Sequence, residues 1–196
     1  MPKPILFIDF DGTLCHDKFW RSLDSGLQAK IQARLFVSGN GIVTDWMIGK
    51  YSSEEINTIL ADELGVEYDV LWPAFVRDCK TMFIEGGALR KIGELRDRYT
   101  TVLMTDNMDS FDRFTIPALK LDTYFDRIVN SFSQRILKDE DNGKSFRNII
   151  AESTVPISEH ILMDNSKTTC DISQRIGGKF YLVTQDKPVL YWLDQI

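Results

Sequence analysis

The chain has 196 residues, enough to bury a substantial core and too few for several independent domains. Hydrophobic residues make up 43% and charged residues 27%, which excludes an intrinsically disordered chain; the formal net charge of −6 excludes any general attraction to nucleic acid or an anionic membrane surface. No apolar run approaches the roughly 18 to 20 residues that span a bilayer, and Cys15, Cys79 and Cys170 have neither disulfide-framework nor metal-ligand spacing, so a reducing, cytoplasmic setting is expected. His16 and His160 lie far apart in the chain and are assigned no role.

Taken in chain order, five short apolar runs read as strands, at residues 5–9, 101–106, 127–131, 160–164 and 179–184. Most are continuously hydrophobic, as strands covered on both faces are, and helical stretches at 88–98 and 146–152 supply the crossovers that parallel strands require. The expected fold is therefore α/β, a doubly wound, Rossmann-like parallel sheet. Residues 15–84 are far too many for one crossover and read as an inserted α-helical cap subdomain, leaving 1–14 and 85–196 as the core. Within the insert, Phe19, Leu23, Leu27, Ile31 and Leu35 recur at helical spacing. Ser52 and Glu55 have the spacing of a capping box, Ile56, Ile59, Leu60 and Leu64 share one face, and Gly65 is a stop signal. A third helix over 68–82 contains Pro73, expected in its first turn or at a kink.

The chemistry concentrates at strand ends. Asp9-Phe10-Asp11-Gly12-Thr13-Leu14 follows the first apolar run directly, so two carboxylates leave one strand tip together, at the edge of the sheet where open α/β folds bind ligands. Such a pair suits covalent phosphoryl transfer, with Asp9 as nucleophile and Asp11 as general acid and then base. Two acids and a phosphate in one crevice call for a hard cation, Mg²⁺, bound by a few carboxylates together with phosphate oxygens and waters.

With these residues in view, the sequence resembles the haloacid dehalogenase superfamily, whose phosphatase members open with a strand and Asp-x-Asp-Gly-Thr-Leu, matched here by Asp9 to Leu14. The resemblance implies three further motifs. A Ser or Thr that hydrogen-bonds the phosphoryl group corresponds to Thr105 in Thr105-Asp106-Asn107, with backbone N–H groups beyond it as further donors and Asp106 open to metal, substrate or solvent. A lysine that holds the nucleophile and the phosphate is Lys138, preferred to Lys144, although neither precedes the proline many relatives carry. An acidic metal ligand is Asp164 in Asp164-Asn165-Ser166, where an amide replaces the usual adjacent acid and Asp171 is the next carboxylate along. The implied metal site is Asp9, Asp11 and Asp164, and the implied phosphate site is Gly12, Thr105, Asp106, Asn107 and Lys138.

On that resemblance the insert is a lid restricting the site to a small phosphorylated metabolite, with Asp17, Trp20, Arg21, Trp46, Lys50 and Arg113 as specificity candidates and Trp72 and Phe75 as core. The expected activity is Mg²⁺-dependent phosphatase hydrolysis through an aspartyl-phosphate. The alternatives are a phosphomutase or phosphotransferase on the same scaffold and a non-catalytic binding or regulatory protein.

Overall fold

A computed structural model describes residues 2–37 and 41–196. Strands β1 (Ile5–Ile8), β2 (Thr100–Thr105), β3 (Arg127–Asn130), β4 (Ile161–Asp164) and β5 (Lys179–Leu182) form one parallel sheet in the order β3-β2-β1-β4-β5. Side chains alternate across it. Leu6 and Ile8 face a core completed by Ala88, Ile92 and Leu95 of one helix and Val189 and Leu193 of another. Ile5 and Phe7 face the other layer, with Phe146, Ile149 and Ile150. Both faces of β1 are thus covered, which is why it reads as an uninterrupted apolar run.

The helices, in chain order, are α1 (Ser25–Leu35), α2 (Ile42–Met47), α3 (Ser53–Leu64), α4 (Tyr68–Lys80), α5 (Gly86–Leu95), α6 (Ile116–Leu119), α7 (Ser131–Gln134), α8 (Lys144–Ile150), α9 (Lys167–Arg175) and α10 (Val189–Leu193). A five-residue π-helical turn, Phe111–Thr115, leads into α6. None of the described helices is long and apolar enough to cross a membrane.

Between β1 and α5 the chain builds α1 to α4 around a separate apolar cluster of Trp20, Ile31, Leu35, Trp46, Ile56 and Phe75, among others. The capping box of Ser52 and Glu55 begins α3, and Gly65, at φ 63°, ends it in the left-handed conformation. Pro73 lies inside α4, beyond the first turn. The expected helical run from Phe19 is shorter than its periodicity: α1 begins only at Ser25, with Asp24 as N-cap, because Trp20 adopts φ 56°, a left-handed conformation incompatible with a helix. The insert's apolar cluster also draws on the chain after β2. Met108, 3% exposed, is part of that cluster, and Phe114 packs against it.

Candidate active site

The sheet register assembles the site. Ile8 pairs with Leu103 on one side and Met163 on the other, and the Asp9 N–H donates to the Met163 carbonyl at 3.0 Å, so Asp9 emerges directly beside Asp164. The next residue, Phe10, turns into the core against Phe111, and Asp11 returns to the crevice. The loop then closes on itself: the N–H groups of Thr13, Leu14 and Cys15 all donate to the Phe10 carbonyl. Gly12 has φ 77°, and a Cβ there would sit 2.3 Å from the Asn165 amide, so both backbone and space demand glycine.

Asp9 is 4% exposed and held on both oxygens. The Lys138 ammonium donates to Asp9 Oδ1 at 2.5 Å and to Asp164 Oδ2 at 2.8 Å, bridging the two carboxylates. Thr13 Oγ1 donates to Asp9 Oδ2 at 3.0 Å while accepting from the Asn165 backbone N–H at 3.1 Å. Burial pushes the Asp9 carboxyl up, and the Asp164 charge adds to this while Lys138 opposes it. Burial disfavours the Lys138 charge, but Asp9, Asp164 and Asp106 around it raise its pKa nonetheless. A 2.5 Å contact is that of a charge-assisted hydrogen bond, and we read the group as an ion cluster rather than a neutral acid beside a neutral amine.

Asp11 is arranged differently. Its Oδ2 accepts from the Asn107 side-chain amide at 2.7 Å, and among the described residues no ammonium pairs with it. Burial and the neighbouring Asp9 charge push its pKa up to about 7, the Lys138 charge and the Asn107 hydrogen bond working against them.

Among the described residues Thr105 Oγ1, buried at the tip of β2, has no hydrogen-bond partner. Asp106, left open between metal, substrate and solvent on sequence grounds, accepts from the Lys138 backbone N–H at 2.9 Å and so fixes the loop that carries the lysine. Burial raises its pKa to about 6. The Asn107 N–H is not free for phosphate, contrary to expectation: it donates to Asn130 Oδ1 and Ser131 Oγ at 3.2 and 3.0 Å. Asn107 therefore serves the site through its side chain, on Asp11.

Other candidates fall elsewhere. Lys144 is 54% exposed and pairs loosely with Asp141. Asp171 pairs with Lys167 on α9 and does not act as a second acid in the crevice. Trp20 and Trp46 are fully buried in the insert, their indole N–H groups donating to Asn57 and Asp109. Arg21 donates to the carbonyls of Asp78 and Thr81, and Lys50 pairs with Asp45. Arg113 bridges Glu54 and Asp109 rather than reaching toward substrate. A charge or an aromatic at helical spacing looks the same whether it packs, pairs or lines a cavity, so sequence could not sort these residues. The specificity candidate that does border a cavity is Asp17.

Two cavities share Asp11, Asp106 and Asn165 in their walls. The smaller, about 170 Å³, contains Asp9, Lys138 and Asp164; the larger, about 540 Å³, runs from Asp11 out beneath the insert. Among the described residues no three His, Cys, Asp or Glu side chains gather on one metal-sized point. The donor chemistry still fits Mg²⁺, which is typically held by one or two carboxylates, with waters and substrate phosphate completing its shell. Asp9 and Asp164 supply two carboxylates. The Asp11 carbonyl oxygen lies beside Asp9 Oδ2, and the Asn165 amide nitrogen, oriented by the network, donates to both at 3.1 and 3.3 Å.

No family model matches this sequence, and no curated protein matches it. Solved structures do. A HAD family enzyme from Bacteroides thetaiotaomicron, in complex with magnesium and inorganic phosphate, is 17% identical over 93% of this chain and 94% of its own, with a TM-score of 0.73. A protein from Porphyromonas gingivalis described as a predicted HAD-like family hydrolase is 19% identical over 93% of this chain and 91% of its own, at 0.69. The L-2-haloacid dehalogenase from Xanthobacter autotrophicus, with chloropropionic acid covalently bound, is 12% identical over 94% of this chain and 80% of its own, at 0.59. At these identities the likeness is one of fold.

Proposed function

We propose that this chain, which has the fold of the haloacid dehalogenase superfamily, is a phosphatase that hydrolyses phosphate monoesters through an aspartyl-phosphate. The observation that carries the reading is the division of labour between neighbouring carboxylates. Asp9 is bound to the Lys138 ammonium and shaped to be a fixed, ionised nucleophile. Asp11, two residues on, is tied to an amide instead of an ammonium, which leaves its carboxyl able to give and take a proton. Displacement of halide from carbon needs no such proton donor, which favours phosphoryl transfer over dehalogenation.

In this reading the Asp9 carboxylate attacks phosphorus, and the bond to the alcohol oxygen breaks as Asp11 delivers its proton there. Asp11, now ionised, takes a proton from water as that water attacks the phosphorus of the aspartyl-phosphate, releasing phosphate and restoring Asp9. Lys138 balances charge on the phosphoryl oxygens while keeping Asp9 in place, and the unpartnered Thr105 hydroxyl donates to one of those oxygens. Mg²⁺ held by Asp9, Asp11 and Asp164 would supply positive charge against the phosphate and the crowded carboxylates.

The test is phosphate release from a panel of phosphate esters with and without Mg²⁺, comparing the wild type with Asp9→Asn and Asp11→Asn. The expected result is metal-dependent release, lost by about a thousandfold or more in Asp9→Asn and nearly as much in Asp11→Asn, both variants remaining folded. Full activity in Asp9→Asn would sink the nucleophile assignment, and turnover of 2-chloropropionate without phosphate release would make the chain a dehalogenase.

A further inference from the structure

We infer that the substrate is the monophosphate of an uncharged, largely apolar alcohol, an inference that rests on the phosphatase reading and names the class of its leaving group. The two cavities divide the substrate between them. Phosphate belongs with Asp9 and Lys138 in the smaller one, and the larger opens directly from Asp11, the group that protonates the leaving oxygen, so the alcohol portion extends into it. At about 540 Å³ it falls in the ordinary range for small-molecule sites, roughly 300–1,000 Å³.

Its walls say what that portion is. Beyond the floor the apolar part of the surface is made by Phe19, Val43, Met47 and Met108, with the half-exposed Phe36 beside them. Phe36 is 45% exposed, a large apolar side chain left facing water beside an apolar space. Of uncharged polar side chains the described lining offers Gln32 and the exposed His16, besides Asn165 on the floor. A sugar would bring several hydroxyls to a wall with too few partners for them, and each left unpaired on burial is unfavourable.

A second anionic group fares no better. The described lining contains no arginine, and its one lysine, Lys18, is exposed. His16 is likewise exposed, and the Asp17 carboxylate is already engaged with Arg21 and the Phe83 N–H. A carboxylate or second phosphate would thus lose water without gaining a buried cation. Alkyl and aryl groups meet the walls as they are.

The experiment compares esters of primary alcohols, so that leaving-group chemistry is matched: methyl, butyl and hexyl phosphate, and a hexose monophosphate esterified at its primary hydroxyl. The expected kcat/KM rises about two- to fourfold per methylene, the gain from burying each one. Hexyl phosphate then exceeds the hexose ester by roughly 50-fold or more. Calorimetric titration of the Asp9→Asn variant follows the same order without turnover. Val43→Asp and the milder Met47→Gln each reduce the hexyl-to-methyl ratio, by about tenfold and about threefold, with melting temperature checked for both. A flat chain-length dependence, or preference for the hexose ester, in an active enzyme overturns the substrate class and leaves the reaction class standing. Absence of phosphate release from every ester, by folded wild type with Mg²⁺, overturns the hydrolytic reading and the substrate class with it.

Discussion

The Asn107 side-chain amide donates to Asp11 Oδ2 at 2.7 Å, joining residues 96 positions apart at the tips of adjacent strands. Asn107 is itself fixed, its backbone N–H held by Asn130 and Ser131 and its Oδ1 accepting from Met108 N. The hydrogen bond favours the ionised form of Asp11, so its loss raises the Asp11 pKa further. Asn107→Ala should lower kcat about tenfold and move the pH–rate limb governed by Asp11 upward. A loss of stability with an unmoved pH profile would reduce Asn107 to a packing residue.

Lys138 is 6% exposed between two buried carboxylates. Removing its charge leaves both without a counterion, and breaking a buried pair in this way costs about 3–5 kcal/mol. Lys138→Ala should therefore melt well below the wild type and regain part of the difference on adding Mg²⁺. A melting temperature within a degree or two of wild type would contradict the ion cluster.

The pH dependence of stability has a definite sign. Burial pushes Asp11 and Asp106 up to about 7 and about 6 from 3.8. Folding raises their affinity for protons, so the stability they contribute is fully present below about pH 4 and lost as pH rises through 6 and 7. Discounted for the partial exposure of Asp11, the loss is on the order of a few kcal/mol, or roughly 5–10 °C in Tm. Thermal melts of metal-free protein from pH 5 to pH 8 should fall accordingly, and saturating Mg²⁺ should flatten the curve. A Tm that climbs across this window would be incompatible with buried, proton-hungry carboxyls.

Asp109 ties the segment after β2 to the insert. Its Oδ1 accepts from Trp46 Nε1, Ser53 N and Ser53 Oγ, and its Oδ2 accepts from Arg113, which also pairs with Glu54. Asp109→Ala strands several buried donors and should cost about 2–4 kcal/mol. Trp46, now without its acceptor, should show a red-shifted emission at temperatures below global unfolding. Unchanged fluorescence and stability would show the hub to be dispensable.

The central strands β1 and β4 were legible because burial on both faces leaves a nearly unbroken apolar run, and each predicted strand overlaps the observed one with ends agreeing to within two residues. The capping box at Ser52 and the stop at Gly65 were legible because their chemistry is local. The start of α1 was not: periodicity from Phe19 continues through residues whose backbone, at Trp20, is left-handed. In the crevice, Asp9, Asp11, Thr105 and Asp164 stood at or just beyond strand ends in readable order, with Lys138 following β3 by way of α7. The partners of Asp11 and of the Lys138 backbone N–H did not, because Asn107 and Asp106 acquire those tasks only through contacts across the sheet edge. Insert side chains were hardest, since helical spacing carries no information about which face meets a cavity.

Met108 and Phe114 lie in the apolar cluster of the insert although they follow β2, some two dozen residues after the insert has returned to the core. The unit that would have to be exchanged to give this scaffold a different cover is consequently discontinuous. A chimera that replaced only the stretch between β1 and α5 would inherit a methionine and an aromatic shaped for the old helices, directly beyond Thr105. Transplanting the segment from Met108 through Phe114 together with the insert would keep the graft's core whole, and the boundary for recombination therefore runs through three dimensions rather than along the chain.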